Sequence, residues 1–246
     1  MNKGAGFLGV LAMLAVAPLA RADFEILVNG TACSAAPDPN PKIQASPTGS
    51  ITCASVSGAL FGLPAGVTIT DLAVTGLQAA GFSQQLGTTL LVTNTTGSAV
   101  AITIDIADSN FTAPVTPPPI GDSSGDTING TTGTNSITLT SCVDQSNALT
   151  DPTCAGAAPG MAGPNATATV TGGATATSPE STGSITSLTA PFSLSQHIVL
   201  SAGAGADFNV TTSQVLSSVP EPTSVLLLGG VLLGVTGLLR KRAAGS

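Results

Sequence analysis

A chain of 246 residues with a formal net charge of -7, from six Lys and Arg against thirteen Asp and Glu, has no electrostatic footprint for a phosphate backbone, which excludes nucleic acid as a partner. Only 8% of residues are charged, and Trp and Tyr are absent, so solubility rests on Thr, Ser, Asn and Gln and the composition is not that of a charge-driven disordered chain. The length is enough for one sizeable core, built from Val, Ile, Leu and a few Phe.

The chain opens with Lys3 as a positive n-region, Phe7 to Leu19 as an apolar h-region, and Ala20-Arg21-Ala22 as an A-x-A cleavage site. This is the layout of a secretory signal peptide over residues 1–22, with Asp23 as the first mature residue. Beyond it the periodicity is that of strands. Phe24 to Val28, Ser50 to Ser57, Val67 to Thr75 and Thr88 to Thr93 are short β-rich runs separated by Gly, Pro, Asn and Asp. Val100, Ile102, Ile104 and Ile106 then alternate with Ala101, Thr103, Asp105 and Ala107, the clearest half-buried strand in the chain.

Residues 113–133 hold Pro117-Pro118-Pro119 and then Gly121, Gly125, Gly130 and Gly133, which reads as a long disordered excursion from the sheet. Within it Asp122, Ser124, Asp126, Asn129 and Gly130 offer oxygen ligands. Their spacing departs from an EF-hand, because Gly133 stands where the bidentate Glu belongs, so no metal site is assigned. Further strands are expected over Ser136 to Cys142, Ala166 to Thr171, Ser184 to Thr189, Phe192 to Ser201 and Ala206 to Thr212, with an Ala, Gly and Pro connection over 155–164. Many short strands without a helical stretch of useful length give an all-β class: an antiparallel β-sandwich, Ig-like or jelly-roll-like, as one exported domain over residues 23–218.

Four cysteines fall into two sequence-local pairs, Cys33 with Cys53 and Cys142 with Cys154. Four cysteines allow three connectivities, and local pairing is the expectation for an exported chain. A zinc site lacks C-x-x-C spacing and has only His197 to complete it. That sole histidine must also serve any Ser-His-Asp arrangement. It falls on the polar face of its strand among serines, the position of a solvated surface histidine. No catalytic residue and no cofactor is assigned, and the chain reads as a non-enzyme.

The tail is the most specific feature. Val219-Pro220-Glu221-Pro222 leads into the apolar run Thr223 to Leu239, which stops at Arg240, Lys241 and Arg242. As a helix, residues 223–239 would span roughly 25 Å, slightly short of a hydrocarbon core of about 30 Å. The basic cluster would remain cytoplasmic and leave the preceding body outside. These residues, with the signal peptide at the other end, resemble the PEP-CTERM sorting signal of exported bacterial envelope proteins. The resemblance covers residues 219–246 and implies an exosortase, a membrane-embedded cysteine protease, as processing partner. It also implies a transient inner-membrane anchor followed by the cell surface or extracellular matrix, and exopolysaccharide in the surroundings. With both ends removed, Lys42 is the one basic side chain left.

Two functions follow from different classes. One is a noncatalytic surface or matrix protein. The alternative is a carbohydrate- or cell-surface-binding module, an adhesin, with loops such as Gly121 to Gly133 as the contact site.

Overall fold

Apolar residues recur at every second position along most of the chain, and such a pattern buries one face of a pleated strand against a second sheet. The computed structural model describes residues 22–33, 43–45, 49–79, 82–115, 120–147, 165–171, 174–178 and 181–219. In chain order the strands are β1 (Ala22–Val28), β2 (Thr31–Ala32), β3 (Ile43–Ala45), β4 (Gly49–Ser57), β5 (Val67–Ala79), β6 (Phe82–Asn94) and β7 (Val100–Phe111). They continue with β8 (Ile120–Thr132), β9 (Thr134–Asp144), β10 (Asn165–Thr171), β11 (Thr175–Thr177), β12 (Ser181–Ile185), β13 (Phe192–Ala202) and β14 (Ala206–Ser218). One 3-10 turn, Ala59–Phe61, is the sole helical element among the described residues.

The strands form two antiparallel seven-stranded sheets. One runs β10-β9-β13-β7-β1-β2, with β3 also on β1; the other runs β11-β8-β14-β6-β5-β4, with β12 also on β8. The last two strands fill the middle of the two sheets: β13 lies between β9 and β7, and β14 between β8 and β6. Chain crossings between the sheets are tight. Gly133 alone joins β8 to β9 at a φ of 78°, a backbone conformation that favours glycine. At the same end Asn94 donates from Nδ2 to the carbonyls of Ala202 and Gly203, at 3.0 and 2.8 Å, tying β6 to the β13–β14 corner.

Two apolar clusters fill the interior. The larger includes Phe24, Ile26, Ile104, Leu139, Ile198 and Phe208; the smaller is built around Phe111, Phe192, Leu194 and Leu216. The Phe111 and Phe192 rings stack at 5.8 Å between centroids. Ile102, Ile104 and Ile106 are fully buried or nearly so, as their alternation in β7 requires. The strands expected from the periodicity are present, most of them longer than the apolar runs alone indicate; β12 instead begins and ends earlier than expected.

The disordered excursion expected near 113–133 is corrected by the structure. Residues 120–132 form β8, thirteen residues paired along β14 on one side and with β11 and β12 on the other. Its Gly, Asp and Asn residues weaken local strand propensity, but two flanking ladders and burial of Ile120 and Ile128 override it. Along β13 the expected alternation also fails at the start. Ser193 and Ser195 are as buried as Phe192 and Leu194, so this end of the strand is covered on both faces.

Cys33 and Cys53 are joined as expected, with 6.1 Å between their Cα atoms. Cys33 follows β2 at the edge of one sheet and Cys53 lies on β4 at the edge of the other, so the bond closes one side of the sandwich. Cys142 is also disulfide-bonded, while Cys154 lies outside the described residues. So do the signal peptide apart from Ala22, the apolar run 223–239 and the basic cluster Arg240 to Arg242. No helix among the described residues is long and apolar enough to cross a membrane.

Candidate functional site

β8 owes its interest to the broken edge beside it. β11 pairs with Thr127 to Asn129 and β12 with Ile120 to Ser124, which leaves Gly125 and Asp126 between the two short strands. Ser178 covers part of that gap. Its N–H donates to the Asp126 carbonyl and its hydroxyl accepts the Asp126 N–H, both at 3.0 Å. Around this point lies a cleft of about 360 Å³, walled by Ser, Thr and Val side chains of β8, β11 and β14.

Strand register sorts these residues onto two faces. Thr127 lies opposite Thr211, Gly125 opposite Ser213, and Ser123 opposite Val215; these outer-face residues are exposed or half-buried. A side chain at Gly125 would meet nothing within 4 Å, so the cleft is open directly above this residue. Asp126 and Thr212 are register partners on the buried face.

That buried face carries a polar seam through the sandwich. Thr212 Oγ1 donates to Gln196 Oε1 at 2.6 Å, and Gln214 Nε2 donates to the Cys142 carbonyl at 3.1 Å, so both bonds join the sheets. Asp126 is 4% exposed. Neither of its carboxyl oxygens makes a hydrogen bond of good geometry among the described residues. Burial pushes its carboxyl up to about 6, against a smaller downward pull from Ser178. No Lys or Arg occurs in the described segments, so none supplies a counter-charge.

The calcium-like spacing does not survive as a loop. Ser124 and Asp126 are buried in the strand interior, whereas Asn129 is exposed and accepts a bond from Thr175 at 3.0 Å. An extended strand turns successive residues to opposite faces and cannot wrap them around one ion. Among the described residues no three His, Cys, Asp or Glu side chains come together.

His197 lies on the other sheet, where Asp105 is its register partner on β7 and Thr140 its partner on β9. Its Nδ1 lies 2.5 Å from Asp105 Oδ1, with the ring one-third exposed at 33%. The sequence reading placed this histidine among serines in solvent and missed the carboxylate. The signal was available, since Asp105 and His197 both occupy outward positions of strongly alternating strands. A side-chain hydrogen bond between two strands on the outer face is what this arrangement provides. Val219, the first residue of the expected sorting motif, is exposed directly after β14, and Pro220, Glu221 and Pro222 lie outside the described residues.

No protein-family model matches the chain, and no curated protein matches it. Among solved structures, it is similar to TmCBM61 in complex with β-1,4-galactotriose, at 15% identity and a TM-score of 0.30 over 53% of this chain and 71% of that one. It is also similar to the enzymatically active domain of bacteriophage CBA120 tailspike protein 4, at 7% identity and a TM-score of 0.28, spanning 61% of this chain and 19% of that one. A third likeness, to infectious bursal disease virus strain Gx, has 12% identity and a TM-score of 0.26 over 90% of this chain and 55% of that one. At these scores none of the three bears on function.

Proposed function

We propose that this chain is a noncatalytic β-sandwich exported to the bacterial cell envelope, sorted by its PEP-CTERM-like tail and used as a structural element of the cell surface or extracellular matrix. The observation that carries this reading is the placement of the sandwich between the two targeting segments. β1 starts at Ala22 and β14 ends at Ser218, so cleavage after Ala22 and near Pro220-Glu221-Pro222 would leave Phe24 to Leu216 of the core intact. The Cys33–Cys53 bond supports an oxidising destination, since such bonds persist outside the reducing cytoplasm.

Replacing Pro220 and Glu221 together with Ala tests the sorting step. The variant is expected to accumulate in the membrane fraction with its tail attached. A variant that leaves the membrane with the same trimmed mass as the parent would overturn the assignment of the tail. A binding role is a second reading, favoured by the cleft over Gly125, whose position within Gly121 to Gly133 matches the expected contact segment.

A further inference from the structure

We infer that the cleft over Gly125 binds a neutral polyhydroxylated ligand, a short stretch of uncharged glycan. The inference rests on the exported, ligand-accessible placement proposed above. Its first support is the glycine itself. A glycine inside a strand weakens it, and usually marks a bulge, a sharp bend, or a place where another molecule approaches the backbone closely. Gly125 has no positive φ. It pairs with Ser213 in regular register, the irregularity of this ladder lying far off at Asp207 and Phe208. A Cβ there would meet open space. Bulge, turn and crowding are thereby removed as reasons, and the open space above Gly125 leaves room for a ligand to approach the backbone closely.

The walls define the ligand class. Ser123, Thr127, Thr177, Thr211 and Ser213 present hydroxyls, and each hydroxyl both donates and accepts. Sugar hydroxyls have the same double capacity, so each of these hydroxyls finds a matching partner whichever way it rotates. Anionic ligands are disfavoured, because the described segments contain no Lys or Arg and the acidic surface repels uronates, sulfates and phosphates. Flat aromatic ligands lack a stacking partner, since no aromatic side chain lines the cleft among the described residues. The volume of about 360 Å³ is at the lower end of small-molecule sites, which span roughly 300–1,000 Å³.

The test is binding of the purified protein to a panel of neutral hexose and N-acetylhexosamine oligomers, three to six units long by choice of panel, beside their uronate and sulfated counterparts. Binding to at least one neutral oligomer and to none of the anionic ones is expected. Gly125→Val fills the depression with a residue suited to strands and is expected to weaken binding about tenfold or more, the equivalent of roughly 1.4 kcal/mol, with the melting transition retained. Thr211→Val, which removes a hydroxyl and keeps the shape, is expected to weaken binding as well. Silence across the neutral panel, equal binding of anionic oligomers, or unchanged affinity in a folded Gly125→Val protein would each overturn the inference. Failure here with normal tail removal strikes the cleft alone; glycan binding by a protein that is never exported strikes the proposed function alone.

Discussion

Replacing Asp126 with Asn removes a charge from the seam between the sheets while keeping the side chain's shape. Burial raises this carboxyl from 3.8 to about 6, a rise of about two units at roughly 1.4 kcal/mol per unit. The sign follows from linkage. A carboxyl whose folded pKa lies above its unfolded one is harder to ionise in the fold, so it destabilises the protein at pH above 6 and ceases to do so as pH falls toward 3.8. The ionised group therefore costs at most about 3 kcal/mol at pH 7, less what solvent screening removes, and almost nothing below pH 4. Urea denaturation of parent and Asp126→Asn across pH 4 to 7.5 measures it. The variant is expected to be more stable by up to about 3 kcal/mol at pH 7, with the difference shrinking through the window from about 6 down to 3.8. Subtracting the two curves removes the contributions common to both proteins. A variant less stable than the parent at pH 7 would refute the reasoning, because it would mean that the ionised carboxylate is held by a partner.

Three further outcomes are expected. Removing the Cys33–Cys53 bond by double substitution with Ser opens a loop with a sequence separation of 20; it is expected to lower stability by about 3 kcal/mol in the chain-entropy description, read as a fall in the urea midpoint. An unchanged midpoint would show that the sandwich edge needs no closure. Gly76→Ala would place a Cβ against the Asp108 carboxylate and the Phe24 ring, and overpacking of this kind is expected to cost about 1–3 kcal/mol, whereas Gly125→Ala, with open space above it, is expected to fold as the parent does. His197→Ala loses the partner of Asp105 on a partly exposed face, so a change below about 1 kcal/mol is expected, and loss of a hydrolytic activity in that variant with unchanged unfolding would contradict the noncatalytic reading.

Alternation made most of the sandwich legible. The Ile102, Ile104 and Ile106 series placed β7, and the similar pattern of Phe192 to Ser201 placed β13, because period-two burial is a property of the strand itself. The register shift against β7 between Phe192 and Leu194 and the double coverage at the start of β13 leave no mark in that pattern, since what covers a face is decided by distant chain. β8 was missed for a related reason. Gly121, Asp122, Gly125, Asp126, Asn129 and Gly130 all speak for turns, and only pairing with β14, β11 and β12 makes them a strand. The same composition had drawn attention to Gly121 to Gly133 as a contact segment. The cleft does fall there, on the outer face of a strand and not on a loop. The Asn29–Gly30 turn between β1 and β2, with φ of 47° and 76°, carries its signal in the dipeptide itself. Local cysteine spacing placed Cys33 against Cys53, whereas the side-chain seam of Gln196, Thr212 and Gln214 required knowledge of which strands oppose one another across the core.

Intact mass of the protein isolated from its own cells under non-reducing conditions bears most directly on the proposal of an exported, sorted and disulfide-closed sandwich. The expected species begins at Asp23, lacks the apolar segment 223–239 and the basic cluster that follows it, and is lighter by the hydrogens lost in disulfide formation. A species from cells with an active exosortase that retains the complete tail, or one carrying all four cysteines as free thiols, would contradict it.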